Sequence, residues 1–326
     1  MATADPRDLR ALIARGDALA ARGDARSAVT FYRTALRAAQ AAGTVPSELL
    51  PDLERIQAIS QAQARAYDAH LSNGLAAAGY TRASSSERFT LSLDLMAGRK
   101  QLYFQEPRFY LFPGLPQIEY AARDTLPWLS GVESAAPRIR AELDALLTDP
   151  DLFKPYVESR DNRPNGDQAG MLDNPDWSAI FLWKDGVEQA AAAARCPETL
   201  KALASVPLCR IPGRTPSILF SKLAAGARIP PHNGMVNVRL ICHLPLITPP
   251  GCRLRVGNTV REWRDGEAWA FDDTIEHEAR NDSDRDRIIL IFDVWKNDLT
   301  DEERNLVTAM FQAIDAYGQP VATWGV

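Results

Sequence analysis

The chain has 326 residues, 46% hydrophobic and 24% charged, with a formal net charge of -5. That composition is globular, allows one sizeable domain plus a smaller one, and excludes the broad basic surface that binds nucleic acid. The N-terminal MATADPRDLR lacks the basic-then-apolar pattern of a secretion signal, and no apolar run approaches the roughly 18 residues of a membrane span.

Four scattered cysteines (Cys196, Cys209, Cys242, Cys252) form no CxxC pair. They fit a reducing, cytoplasmic location, with a Cys196–Cys209 bridge left as an alternative. Residues 5 to about 82 are Ala-rich and helical in period, and show no strand-like alternation. Within them Leu12, Gly16, Leu19, Ala28, Tyr32 and Ala35 fall at tetratricopeptide (TPR) spacings, although Leu12 stands where that repeat has Trp and Gln40 where it closes with Pro. One such pair cannot bury its own faces, so it is expected to stack on a long helix from Ser47 to about Ala78. Two readings stay open, a helical cap and a groove for an extended peptide. His70, alone on the long helix, reads as a surface or packing residue.

Residues 83 to about 215 are mixed, with strands expected at FTLSLDL, RFYLF and SAIFLW and helices near Ala135–Leu147 and Val187–Ala204. From Ser217 onward, short strands (SILFSKL, VNVRLICHL, CRLRV, AWAF, RIILIFDVW) alternate with PPG, GN, DG and NDSD turns. That is the pattern of a jelly roll. A helix from Thr300 to about Ala316 closes the chain, capped by Thr300 and led by acids. The expected fold is therefore α+β: a helical region over 1–82, then a domain over 83–326 whose jelly-roll core spans about 215–298.

The chemistry concentrates in that core. In VNVRLICHL, Val236, Val238, Leu240, Cys242 and Leu244 alternate with Asn237, Arg239, Ile241 and His243, so the second face carries polar groups where a purely structural strand would carry solvent-facing ones. His232 sits in a loop after two prolines, and His277 ends FDDTIEHE 45 residues later. Neutral imidazoles from two places on one barrel can build a non-haem iron site. Arg287 follows ten residues on, at the start of the last strand. A buried guanidinium is costly unless it meets an anion, and a dicarboxylic cosubstrate would supply one.

PHNGxxNxRLxxHLxL (Pro231–Leu246), Gly251-Cys252, FDDTIEHE (Phe271–Glu278) and RIILIFDVW (Arg287–Trp295) together resemble the aspartyl/asparaginyl β-hydroxylase family of iron(II)- and 2-oxoglutarate-dependent oxygenases. The resemblance is dense over these segments and extends thinly to DWSAIFLWKDG (Asp176–Gly186), while the helical N-terminus is similar to members that carry tetratricopeptide repeats. It implies a double-stranded β-helix, His232 and His277 as iron ligands and catalytic residues, and Arg287, helped by Ser221, on the distal carboxylate of 2-oxoglutarate. His243 would meet the carboxylate beside the keto group, and Arg239 the cosubstrate or substrate. Ile241 departs from the arginine of animal members. Gly234 supplies no side chain where other oxygenases have an Asp or Glu ligand, a gap the animal hydroxylases share and fill with water.

Asp272 and Asp273 read as supporting residues, and a carboxylate placed at 234 is expected to tighten iron binding. The implied reaction consumes O2 and 2-oxoglutarate, releases succinate and CO2, and hydroxylates Asp or Asn in a peptide or protein. A free amino acid such as proline, a lipid acyl chain, halogenation at the Gly234 gap and a non-catalytic peptide-binding module are the alternatives.

Overall fold

Small residues along one face let the first helices approach closely. The computed structural model, which describes residues 6–159 and 170–317, forms α1 (Pro6–Ala20), α2 (Ala25–Ala42) and α3 (Leu50–Ala77). Asp24 caps α2 by accepting from the Ser27 amide, and Gly43 ends it at a φ of 70° that suits glycine. Leu9, Ile13, Ala28, Tyr32, Ala35, Leu49 and Ile56 form the core of these helices. A Cβ on Gly16 would run into the Tyr32 ring, so glycine is required where α1 meets α2. The Tyr32 hydroxyl and Arg55 both donate to Asp17, at 2.7 and 2.9 Å.

FTLSLDL, expected as a strand, lies instead in helix α4 (Glu87–Met96). Ser86 caps it by accepting from the Phe89 amide, and Arg82 grips Asp94 with two bonds of 2.8 and 3.0 Å. The alternating leucines mimic a strand, but the cap and this bidentate pair favour the helix. The chain accordingly divides into one compact unit ending at Ala97 and another beginning at Gly98, rather than near residue 82.

In the second unit RFYLF is an extended strap, not a strand of a sheet. Its Arg108 and Phe109 amides donate to the Gly234 and Met235 carbonyls at 2.9 and 3.0 Å. Helix α5 (Leu129–Leu146) forms as expected. The helix expected over 187–204 splits into α6 (Ala190–Ala193) and α7 (Pro197–Leu203), because Pro197 cannot continue the hydrogen-bond ladder.

Two antiparallel sheets follow. The larger takes β1 (Lys154–Pro155), β2 (Trp177–Lys184), β3 (Val187–Glu188), β4 (Ile218–Leu223), β6 (Arg239–Ile247), β9 (Trp269–Phe271) and β11 (Arg287–Trp295), in the order β1-β2-β4-β11-β6-β9 with β3 beside β2. The smaller takes β5 (Arg228–His232), β7 (Cys252–Val256), β8 (Thr259–Glu262) and β10 (His277–Asn281), in the order β5-β10-β7-β8. Pro230 and Pro231 are tolerated because β5 is an edge strand.

Leu240, Cys242, Leu244 and Leu290 pack from one face of the large sheet against Ile139, Leu143 and Leu203 of the helices. Its other face meets the small sheet through Trp177, Leu223, Phe271 and Ile289 against Ile229, Leu254 and Val256. This is the jelly-roll layout, buried on both faces of its large sheet. Helix α8 (Asp301–Asp315) is held by a full capping box between Thr300 and Glu303. All four cysteines are free and buried, so Cys196 and Cys209 are not bridged. Among the described residues no helix is long and apolar enough to cross a membrane.

Candidate active site

His232 closes β5 and His277 opens β10, and the two strands pair antiparallel with these residues directly opposite each other. Cross-strand neighbours bring their side chains together, and here the ring centroids are 4.0 Å apart. The two rings share one hydrogen-bond pattern. His232 Nδ1 lies 2.8 Å from the Pro230 carbonyl and His277 Nδ1 3.1 Å from the Ile275 carbonyl. A carbonyl only accepts, so each Nδ1 carries the proton and each Nε2 keeps a lone pair. Burial lowers the pKa of both, His277 the further, where His232 beside it adds to the effect, and this keeps them neutral.

His243 has the opposite tautomer. Its Nδ1 accepts from Trp263 Nε1 at 3.3 Å, which leaves the proton on Nε2. Burial, with Arg287 adding to it, holds His243 well below the ordinary histidine value. It is therefore a neutral donor, suited to a carboxylate and not to a metal. Ser221 Oγ accepts from Trp177 Nε1 at 3.3 Å, so its own hydrogen is available to donate. Both line one cavity with His232, His277 and Arg287.

Arg287 is 1% exposed, and its Nε and Nη1 have no hydrogen-bond partner among the described residues. Its guanidinium lies over the Trp263 ring at 4.7 Å, and burial lowers its pKa to about 10. A buried fork with unmet donors is built for an anion, and 2-oxoglutarate ends in a carboxylate of that geometry. The pair of Nε2 lone pairs likewise fits a divalent metal.

Arg239 differs from the sequence expectation. It lines the cavity, yet it donates to Asp293 at 2.8 Å and to Asp273 at 3.3 Å, and these two carboxylates keep it charged despite burial. Its Nη1 and Nη2 are thus engaged by carboxylates of the protein, while its Nε is buried without a partner among the described residues. Asn237, expected to face the interior, instead ties Gln105 Oε1 and the main chain of Phe112 at 2.7–2.9 Å. Asp272 accepts from Lys296, Gln105 and Thr274, as a supporting residue would.

Gly234 is not next to empty space. A Cβ there would collide with the Asp273 carboxylate, whose Oδ1 is buried without a partner and whose pKa burial raises to about 6. Ile241, Ile289 and Ile291 complete an apolar wall. Trp263 had no signal in the sequence beyond being an aromatic residue near a turn. Its two contacts, with His243 and Arg287, exist only in the fold.

The sequence pattern of the family described as aspartyl/asparaginyl beta-hydroxylase matches residues 133–297. The chain belongs to that family. A human aspartyl/asparaginyl beta-hydroxylase is 34% identical over 146 residues, 44% of this chain and 19% of its own length. An ornithine lipid ester-linked acyl 2-hydroxylase of Rhizobium tropici is 32% identical over 218 residues, covering 66% of this chain and 71% of that protein. The human aspartate beta-hydroxylase domain-containing protein 2 is 28% identical over 211 residues, 64% of this chain and 55% of that one. The chain thus spans about a fifth of the length of the human hydroxylase it matches. Among solved structures, the cupin domain of Schizosaccharomyces pombe Cnp3 aligns over 37% of this chain and 66% of its own with a TM-score of 0.25 at 9% identity, too slight a likeness to add to the fold read from the sheets.

Proposed function

We propose that this member of the aspartyl/asparaginyl beta-hydroxylase family is an iron(II)- and 2-oxoglutarate-dependent hydroxylase acting on Asp or Asn in a peptide or protein. The observation that carries the reading is one cavity holding two matched imidazole lone pairs and an unmatched buried guanidinium. His232 and His277 would hold the metal through Nε2, and Arg287 would fork onto the distal carboxylate of 2-oxoglutarate with the Ser221 hydroxyl beside it. His243 would donate its Nε2 proton to the other carboxylate.

Iron(II), 2-oxoglutarate and O2, when bound, supply the oxidising chemistry and leave succinate and CO2. The protein would orient the cosubstrate, and Trp177, Trp263, Phe271 and Ile289 give the cavity the apolar lining that would limit water around it. The helical unit, with the tetratricopeptide-like spacing around Gly16 and Tyr32, would bind the peptide.

The test is succinate formation by purified protein given iron(II), ascorbate, 2-oxoglutarate and a peptide library. Turnover is expected and should vanish in both His232→Ala and His277→Ala, since a site with two protein ligands has none to spare. Full activity in folded His277→Ala would end the metal assignment. A second reading, hydroxylation of an acyl chain, is favoured by Ile241, which makes the cavity wall apolar where animal members have arginine. Acyl substrates in the same assay decide between the two.

A further inference from the structure

Three successive carbonyls of one turn grip both histidine loops. The Asp273 carbonyl accepts from the Gly234 amide at 2.6 Å, the Thr274 carbonyl from Asn233 Nδ2 at 2.9 Å, and the Ile275 carbonyl from His277 Nδ1 at 3.1 Å. The Thr274 carbonyl also takes the Glu106 amide of the strap at 2.8 Å. A shift of this turn would therefore move the loop after His232 and the ring of His277 together.

The side chain that organises the turn is Asp272, whose two oxygens accept from four donors. Its Oδ1 takes the Thr274 amide and hydroxyl at 3.0 and 2.6 Å, and its Oδ2 takes Gln105 Nε2 at 2.7 Å and Lys296 Nζ at 2.5 Å. The Thr274 bonds are internal to the turn and Gln105 belongs to the strap, whereas Lys296 reaches in from the end of β11, the strand that Arg287 opens. The main chain of Lys296 is fixed in turn, its amide donating to the Val238 carbonyl at 3.0 Å and its carbonyl accepting from Arg304 Nη2 at 3.1 Å. Lys296 is 3% exposed and Asp272 0%, so bulk water screens neither charge, and neither side chain lines the cavity.

We propose that Lys296 is a positioning residue for the imidazole pair: acting through Asp272, its ammonium anchors the turn whose carbonyls hold His277 and the loop after His232. The inference rests on the two-histidine metal reading above and adds to it a residue beyond the last of the sequence motifs. Desolvating two charges offsets most of their attraction, so a buried pair is a weak source of stability. Hydrogen-bond partners behind a metal-binding histidine instead set the orientation and tautomer of its ring, and their loss weakens metal binding by about ten- to a hundredfold.

The experiment uses the full chain and needs no turnover. Imidazole nitrogen NMR of metal-free, histidine-labelled protein reads each tautomer, with signals assigned through His232→Ala and His277→Ala. Wild type should carry the proton on Nδ1 of both rings. In Lys296→Met, His232 should keep that tautomer, because its partner is the Pro230 carbonyl outside the turn, while His277 becomes a mixture of tautomers. Cobalt(II) affinity, followed by visible absorption, should weaken about tenfold. Because Lys296→Met strands a buried carboxylate, the second variant is Lys296→Met with Asp272→Asn, which removes both charges and leaves Thr274 an acceptor. Its melting temperature should return toward wild type, while the mixed His277 tautomer and the weak cobalt(II) binding persist.

A folded Lys296→Met protein, or a double variant, with the wild-type His277 tautomer and wild-type cobalt(II) affinity would overturn the proposal. Failure of both variants to fold would mark the pair as structural and overturn it as well. A wild-type protein that makes no succinate, yet loses the His277 tautomer and cobalt(II) affinity in both variants, would leave this inference standing and sink the proposed hydroxylase activity instead.

Discussion

A guanidinium that is 1% exposed with two N–H groups unmet costs folding free energy until an anion arrives, on the order of 1–3 kcal/mol for each unsatisfied buried group. Arg287→Met should therefore raise or maintain the melting temperature of the protein without cosubstrate, while its 2-oxoglutarate affinity falls roughly thirtyfold or more, because a buried charge pair loses about 2–5 kcal/mol when one partner is removed. Loss of stability together with retained affinity would mean that Arg287 is structural. The buried histidines have a pH consequence of a definite sign. The folded pKa of His243 lies well below the ordinary histidine value, so as the pH falls below about 6.5 the unfolded chain takes up a proton that the folded one resists. Stability should fall between pH 7 and pH 5 in metal-free protein, and His243→Gln should flatten that slope in thermal melts. Gly234 reverses an expectation drawn from the sequence. A carboxylate placed at 234 does not enter free space, because Asp273 already fills it. Gly234→Asp alone should lose metal affinity, and Gly234→Asp combined with Asp273→Gly should recover it, both measured by metal titration. Tighter binding in the single variant would show that Asp273 moves aside at little cost.

At the scale of elements, the site is a product of strand pairing. The polar face of β6 was readable because Arg239 and His243 interrupt an apolar strand, and the fold puts its apolar face on the helices and its polar face in the cavity. The pairing of β5 with β10 was not readable, since nothing local to a histidine records which strand will lie opposite. α4 shows the converse failure: alternation in FTLSLDL has the period of a strand, and the Ser86 cap decides against it. In the helical unit, Gly16 and Tyr32 were singled out by spacing, and their contact is close enough to test. Gly16→Val should destabilise that unit by about 1–3 kcal/mol through overpacking, seen as an earlier helical transition by circular dichroism. Adding Tyr32→Ala should return part of the loss, and a Gly16→Val protein that melts like wild type would show that the two helices separate without strain.

For the whole molecule, the division after Ala97 gives the second unit its own cores, so residues 98–326 should fold alone and bind 2-oxoglutarate as the full chain does. If the helices hold the peptide, peptide affinity should drop about tenfold or more in that truncation, measured by fluorescence anisotropy with a labelled peptide that the full chain turns over; unchanged peptide affinity would mean that the helices do not hold it. The sequence by itself determined the strand grammar and the terminal helix, and it singled out His232, His243, His277 and Arg287, which the fold brings to one cavity, because period, turn residues and polar groups at core positions are local signals. It could not assign tautomers, tell Arg287, which meets no carboxylate of the protein, from Arg239, which meets two, or place Asp273 at Gly234. Those facts depend on which hydrogen bonds and charges meet across the sheets, and residues far apart in the chain acquire such partners only when the two sheets close on each other.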